Sequence, residues 1–346
     1  MYRLRSVTIE DLDDIYELSN FVFFINLPSN KEDIEKKIKS SIKSFESPSK
    51  DFFKNYYMFV LEDYETNKVI GVSMIHAQHG TEDEPHFYLR VGQEHKFSQS
   101  INTGFIHGTL KLGYDTDGPT EIGGLVLHPD YRGKPGKLGK QLSFSRFLYM
   151  GINPDRFKST IHSELMPPLD KDGNSPLWEA IGRRFLNMDY NDADVLSRKN
   201  KEFILSLFPS DTIYETLLPI NARNAIGKFA SETAPVAKML KSIGFNYINE
   251  VDPFDGGPHF QCKLKDISLI KEMISGEIEL SDNIDQEKST SILLSIPSKS
   301  FQFEAIKINA LIQSSGPNAV SKIIIDSETA KKFNLQNNVQ VNAIFF

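Results

Sequence analysis

One segment, residues 125–150, constrains the fold of this 346-residue chain more than any other. Leu125, Val126 and Leu127 form an apolar strand end, and Pro129 stops the strand because proline has no N–H to donate to a ladder. Residues 132–140 then supply three glycines and four basic side chains, and apolar residues recur at helical spacing from Lys140 to Met150. A strand, a glycine-rich turn and a helix start together predict a pyrophosphate-binding loop, since the helix N-terminus exposes N–H groups and glycine admits close approach. The alternative is a solvated basic turn between two core elements.

Composition narrows the class of protein further. The formal net charge is −7, whereas nucleic-acid-binding proteins usually present a basic face, so no nucleic-acid partner is expected. The single cysteine, Cys262, excludes an intramolecular disulfide and a cysteine-rich zinc site, and we predict no metal site. No apolar run reaches membrane-spanning length, and charged residues stand where a signal peptide needs an apolar core. We therefore expect a cytoplasmic protein with no membrane partner.

The hydrophobic pattern along the chain predicts an α+β fold. Strands are expected at 2–7, 57–62, 69–76, 87–91, 109–113, 120–127, 159–165, 245–251 and 259–263, and helices at 31–45, 140–150, 176–186 and 232–243. Residues 166–228 are mostly helical in character, and the tail from residue 266 alternates short β-like runs with polar loops. These shifts predict a larger domain over 1–265, in which residues 166–228 are a distinct helical stretch, and a small β-rich domain over 266–346.

This order of elements resembles the acetyltransferase superfamily of the GNAT type, including its Arg-x-x-Gly-x-Gly/Ala loop. Within it, residues 1–262 closely resemble the arginine N-succinyltransferases. The matching words include Phe59–Asp63, Tyr88–Gly92, Glu121–Arg132, Ser143–Phe147, Ser175–Glu179, Thr233–Pro235 and Asp255–Pro258. The resemblance implies an acetyltransferase-type fold, with a mixed, mostly antiparallel twisted sheet flanked by helices.

The resemblance also implies a reaction, namely transfer of succinyl from succinyl-CoA to the α-amino group of arginine. Succinyl-CoA would be a co-substrate, with no permanently bound cofactor. The backbone of Leu125, Val126 and Leu127 would bind the pantetheine arm. The pyrophosphate would be held by the loop residues Arg132, Gly133, Lys134, Gly136, Lys137, Gly139 and Lys140. Family members associate, which implies a homodimer or a complex with a related subunit.

Two departures from the family pattern concern the cofactor loop and the catalytic residue. The loop is longer than Arg-x-x-Gly-x-Gly, with extra residues around Lys134-Pro135-Gly136, so the phosphate contacts would be shifted. The family carries a histidine just before the Thr-Ala-Pro word, and here that position is Ala230. Alanine cannot transfer a proton, so another group, or water, must take that role if the chain is catalytic.

Five charged residues and one histidine are therefore the candidate site residues. His162 and Glu164 lie two apart on a predicted strand and so share a face; the alternative is a solvent-facing pair. Glu232 follows Ala230 closely, although a helix-start carboxylate is the simpler interpretation. Glu121 would hold a substrate ammonium or guanidinium group, or would be a solvated strand-end charge. Arg90, in a matching word, and Arg183, otherwise a helix-face residue, are candidate substrate contacts, Arg183 for the succinyl carboxylate.

Two other functions remain open from the sequence. The same scaffold would serve a different acyl donor or a different amine acceptor. Ala230 also leaves open a catalytically silent subunit that binds acyl-CoA.

Overall fold

The computed structural model of the chain describes residues 1–22, 27–197, 199–285, 287–313 and 321–346. Its strands are β1 (Tyr2–Ser6), β2 (Tyr56–Asp63), β3 (Lys68–His76), β4 (His86–Ser98), β5 (Thr103–Asp115), β6 (Thr120–Leu127), β7 (Thr160–Glu164), β8 (Ile213–Tyr214), β9 (Asn246–Val251), β10 (Pro258–Lys263), β11 (Ile274–Ser281), β12 (Thr290–Ser295), β13 (Glu304–Gln313), β14 (Ser321–Asp326) and β15 (Gln340–Phe345).

Its α-helices are α1 (Leu12–Ser19), α2 (Lys31–Glu46), α3 (Leu138–Ile152), α4 (Pro176–Ala180), α5 (Gly182–Leu186), α6 (Tyr190–Ser197), α7 (Glu202–Leu207), α8 (Ile220–Ala225), α9 (Ala234–Ser242), α10 (Ser268–Lys271) and α11 (Ser327–Lys332). No helix in the described ranges is both long enough and apolar enough to cross a membrane.

Most predicted elements are present, but several differ in extent. β4 and β5 form one long hairpin, paired from His86 with Asp115 to Ser98 with Thr103, where only 87–91 and 109–113 were predicted. The outer half of this hairpin is largely exposed, and its side chains are polar or of mixed polarity. It therefore lacks the run of apolar residues from which a buried strand is predicted. The predicted helix 176–186 is divided at Ile181 into α4 and α5. The helix predicted from residue 232 begins at Ala234, after a 3-10 turn.

The chain folds into two compact units, and their limits differ from the predicted domain boundaries. The first contains residues 1–77, 122–159 and 264–346, and the second contains 78–121 and 160–263. Residues 264–346 belong to the first unit because β13 pairs with β1, placing Leu4 opposite Ala305. The Ser6 amide also donates to the Phe303 carbonyl oxygen at 2.9 Å.

In the first unit the strand order is β12-β15-β11-β14-β13-β1-β2-β3-β6. β12 pairs with β13 as well as with β15, so the five strands β11–β15 close on themselves. They enclose an apolar cluster that includes Ile278, Leu294, Ile306 and Ile325. A separate cluster packs α1 and α2 on β2 and β3, because α2 presents Ile34 and Ile38 on its buried face.

In the second unit the order is β6-β7-β10-β9-β4-β5-β8, with β6 contributing its first residues. Helices α4–α8 all fall between β7 and β9 in the chain. Their core centres on Trp178, which is fully buried, stacks on Phe254 at 4.8 Å and donates Nε1–H to the Met188 carbonyl oxygen at 2.9 Å. The pairs β6–β7 and β11–β14 are parallel, and most other pairs are antiparallel. The chain thus has the α+β composition and the mixed, mostly antiparallel strand pairing that the sequence predicts.

Candidate active site

The predicted phosphate loop lies in the first unit, between β6 and α3. After β6 a 3-10 turn spans Pro129–Tyr131, and α3 begins at Leu138 with no side-chain cap on its N-terminus. Gly133 and Gly136 have φ values of 72° and 101°, which only glycine adopts at little cost. Arg132 Nε donates to the Leu127 carbonyl oxygen at 3.1 Å, so the loop folds back onto the end of the strand. The structure therefore places residues 138–140 in the first turn of the helix rather than in the loop.

An anion would find open space at this helix start. A Cβ atom built on Gly133 or Gly139 would meet no atom within 4 Å, so packing within the chain does not require glycine at Gly139. An uncapped helix N-terminus carries partial positive charge. Glycine there leaves room for a ligand group against the backbone.

Basic side chains gather at the same helix start. Burial lowers the pKa of Lys140, and the like charges of Lys137 and Lys307 lower it further. The ammonium groups of Lys140 and Lys307 lie 4.6 and 4.7 Å from the centre of the Phe346 ring. Lys307, on β13, is a cation that the sequence interpretation did not include. Like charges held together favour binding of an anion, since an anion offsets their repulsion.

The second unit brings three histidines and a glutamate together. His162 and Glu164 lie on β7, with His162 Nε2 3.3 Å from Glu164 Oε1, so the predicted pair shares a face as expected. His259 on β10 is directly opposite Glu164 in the strand register, and its Nε2 lies 3.6 Å from Glu164 Oε1. His86, the first residue of β4, places Nδ1 3.7 Å from the same oxygen. The His86 and His259 rings stack with centroids 5.3 Å apart.

Burial sets the protonation of this group, which we call the histidine–glutamate cluster (His86, His162, His259 and Glu164). The three imidazoles are at most 2% exposed. Burial lowers the pKa of His162 to about 4 and lowers the pKa of His86 and His259 well below their ordinary value. Burial also raises the pKa of Glu164 to about 7, and the Glu121 carboxylate adds to that rise. All three imidazoles are consequently neutral at neutral pH.

Glu121 and Glu232, the other candidate carboxylates, differ in their surroundings. Parallel pairing of β6 with β7 puts Glu121 opposite His162. Glu121 is 8% exposed and its carboxylate lies 2.9 Å from His79 Nδ1, so it is not a solvated strand-end charge. Glu232 lies exposed on the turn Ser231–Thr233. Hydrogen bonds from its own backbone amide and from Ser231 lower its pKa, as expected of a helix-start carboxylate.

Arg90 and Arg183, the candidate substrate contacts, already have carboxylate partners. Arg90 is exposed, and its Nη2 lies 3.1 Å from Glu250 Oε1. Arg183 donates Nε–H to Glu179 at 2.6 Å and also pairs with Asp189. A substrate carboxylate would have to displace or share these partners.

The sequence interpretation missed His86 and His259. His259 began a predicted strand and His86 immediately preceded one, but nothing in the local sequence indicates that β4, β7 and β10 bring them to one point. A usable signal existed for His259, because β7 and β10 were both predicted and an antiparallel pairing of the two would have put His259 beside His162 or Glu164. Ala230, at the position of the family histidine, has a backbone role here, since its amide donates to the Met166 carbonyl oxygen at 2.9 Å.

Known proteins resemble this chain in both fold and sequence. The family model described as arginine N-succinyltransferase beta subunit matches residues 2–269. An arginine N-succinyltransferase of Yersinia pestis is 34% identical over 285 residues, covering 82% of this chain and 80% of the relative. One from Shigella dysenteriae is 35% identical and covers 79% of each chain. The solved structure of the arginine/ornithine succinyltransferase subunit AI from Pseudomonas aeruginosa superposes with a TM-score of 0.82 at 23% identity, covering 100% of this chain and 98% of that one.

Fold and sequence together define an acyltransferase. More narrowly, the chain belongs to the arginine N-succinyltransferase family.

Proposed function

We propose that this chain transfers succinyl from succinyl-CoA to the α-amino group of arginine. The supporting observation is the family match over residues 2–269, together with an open glycine loop at the start of α3. In the reaction the amine nitrogen attacks the thioester carbon, a C–N bond forms and the C–S bond breaks. Overall, the amine nitrogen loses a proton and the departing sulfur gains one, so CoA leaves as a thiol.

The acyl-CoA is proposed to bind at the first unit's strand–loop–helix segment. The backbone of Leu125–Leu127 would pair with the pantetheine amides, and the loop residues Arg132–Lys140 would hold the pyrophosphate. The open helix N-terminus and the lysines around it favour anionic phosphates.

We also propose that the sheet has a GNAT-type arrangement, with residues 166–228 as an inserted helical segment. Residues 266–346 are proposed to form a small β-rich region, which the separate core of β11–β15 supports.

The amine proton is proposed to pass to Glu164. Direct attack by an amine needs a general base, and the family histidine is replaced by Ala230. Glu164 is a carboxylate held in place by a buried imidazole, with His162 Nε2 at 3.3 Å. His162 would act as its positioning residue. Glu232, exposed on its turn, is the competing base.

Three side chains are proposed to pair with the charged groups of the substrates. Glu121 would hold a cationic group of arginine, since a buried carboxylate makes a strong charge-assisted hydrogen bond. Arg90 and Arg183 are the candidates for binding the succinyl carboxylate.

The chain is also proposed to associate, as a homodimer or with a related subunit. The words "beta subunit" and "subunit" in the names of the family and of the solved relative support this proposal. A cytoplasmic location belongs to the same proposal.

The test is a matrix of acyl donors and amines with the purified full-length chain. Succinyl-CoA and acetyl-CoA would each be combined with arginine, ornithine, lysine and glycine, with free thiol measured over time. We expect thiol release with succinyl-CoA and arginine, and N-succinylarginine by mass spectrometry. Release with acetyl-CoA or a different amine instead would favour another transferase. Tight succinyl-CoA binding without turnover on any amine would contradict the proposal and favour a silent subunit.

A further inference from the structure

The histidine–glutamate cluster has the geometry of a metal-binding site. One coordinating atom from each of His86, His162, His259 and Glu164 can be chosen so that all four lie within 4.8 Å of one another. The four residues come from three strands of the second unit, β4, β7 and β10, of which β7 and β10 are paired, and strands form a firmer support than a surface loop. Residues on paired strands also hold their spacing, because the register sets it, as with His259 opposite Glu164.

Three ring nitrogens of the histidine–glutamate cluster have no hydrogen-bond partner among the described residues. Within the described ranges, His86 Nε2 and both ring nitrogens of His259 are buried without a hydrogen bond, in side chains 2% and 0% exposed. Leaving a buried polar atom without a hydrogen bond is destabilising. A bound ion that accepts the lone pairs of these rings would remove much of this destabilisation. Burial in an apolar core would not explain why three imidazoles converge on a carboxylate.

The donor set selects the class of ion. Three imidazole nitrogens and one carboxylate oxygen suit Zn²⁺ and related first-row transition metals, whereas Mg²⁺ and Ca²⁺ prefer oxygen ligands. The imidazoles are already in the neutral form that coordination requires.

Gln261 contacts one of the four proposed ligands, His162. The side-chain amide of Gln261 lies 3.2 Å from His162 Nδ1. The atom of Gln261 at this distance is the amide nitrogen Nε2, whose N–H donates to Nδ1. Coordination through His162 Nε2, the atom that faces Glu164, would require the Gln261 amide to turn over so that its oxygen accepts from Nδ1–H. Such outer partners orient metal-bound histidines.

We propose that His86, His162, His259 and Glu164 bind a divalent transition-metal ion of the Zn²⁺ class. Metal binding goes beyond the proposed function and does not depend on it. One consequence does rest on the proposed function, in that Glu164 cannot coordinate a cation and accept a proton from arginine at the same time. The ion would therefore inhibit succinyl transfer reversibly, and removing it would restore the activity.

The test measures metal binding directly. Full-length chain freed of metal by a chelator would be titrated with Zn²⁺ against a chromophoric competitor, and with Co²⁺ while the visible d–d absorption is recorded. We expect one equivalent to bind and the Co²⁺ spectrum to be that of a four-coordinate site. His259→Gln keeps a polar side chain and should weaken binding by at least about 100-fold, because even outer-shell partners contribute about 10- to 100-fold. His95→Gln, at an exposed position on β4, is the matched control and should bind like the parent.

Thermal melts without metal would show whether each variant is folded. Absence of stoichiometric binding to the folded parent would overturn the proposal, as would equal binding by the parent and a folded His259→Gln variant. Succinyl transfer by the metal-free chain would be assayed separately, so a failed metal site and a failed transferase give different results.

Discussion

Glu164 shows how the surroundings of one residue set its chemistry. Its own strand supplies His162 two residues away, a pairing that side-chain alternation predicts. His259, on the paired strand β10, and His86, on β4, place ring nitrogens near the same carboxylate oxygen. Burial and the Glu121 charge raise its pKa towards neutrality, and a base with a pKa near the working pH is the most useful for proton transfer.

Replacing Glu164 by glutamine should abolish most of the activity. The amide has nearly the same shape but cannot take a proton, and general-base catalysis contributes about 10²- to 10⁴-fold. We expect kcat for succinyl transfer to fall within that range while the KM for succinyl-CoA changes little. The same change at Glu232 should leave kcat within about twofold of the parent. A large loss at Glu232 and none at Glu164 would move the base to the turn before α9.

At the scale of elements, the β6–loop–α3 segment is the part that the sequence predicts best. Its strand end, its proline and its glycines act locally, so their effects need no tertiary context. The helix start is the exception, because α3 begins at Leu138 rather than at Lys140. Lys137, in a left-handed conformation with φ 55°, turns the chain into the helix, and a lysine gives no sequence signal for that conformation.

Gly139→Ala separates the stability of this segment from its binding function. A methyl group at this position would meet no atom of the chain within 4 Å, and alanine favours helix by up to about 1 kcal/mol over glycine. The melting temperature should therefore stay the same or rise. The KM for succinyl-CoA should rise about tenfold, equivalent to about 1.4 kcal/mol, because the methyl group occupies the space of the phosphate. The KM for arginine is the internal control, and an unchanged KM for succinyl-CoA would count against the loop as the phosphate site.

At the scale of the whole molecule, residues 264–346 contribute to the first unit. β13 continues the sheet from β1, and the buried Phe303 contacts the rings of Phe59 and Tyr149, each at 5.4 Å. Local sequence correctly marks the tail as β-rich and different in character. Local sequence does not predict that β1 pairs with β13, because the two strands are about 300 residues apart in the chain.

A chain truncated after Lys265 should not fold stably. Truncation removes the partner of β1 and exposes apolar surface around Phe59 and Tyr149, and burial of such side chains contributes about 1.5–3 kcal/mol each. We expect loss of soluble protein, or loss of cooperative unfolding by circular dichroism. The full-length chain prepared in parallel is the control. A soluble fragment with the melting temperature of the full chain would instead show that residues 266–346 form an independent domain.

The sequence by itself determined the α+β composition, most strands and helices, the family resemblance, the glycine-rich loop between β6 and α3, and the proximity of His162 and Glu164. These depend on side-chain period, on proline and glycine, and on ordered words, all of which act over short stretches of chain. Only the tertiary structure decided that His86 and His259 join Glu164, that Glu121 is buried beside His79, and that the tail extends the sheet of the first unit. Each of these depends on which strands become neighbours, and strand pairing is set by packing between segments far apart in the chain.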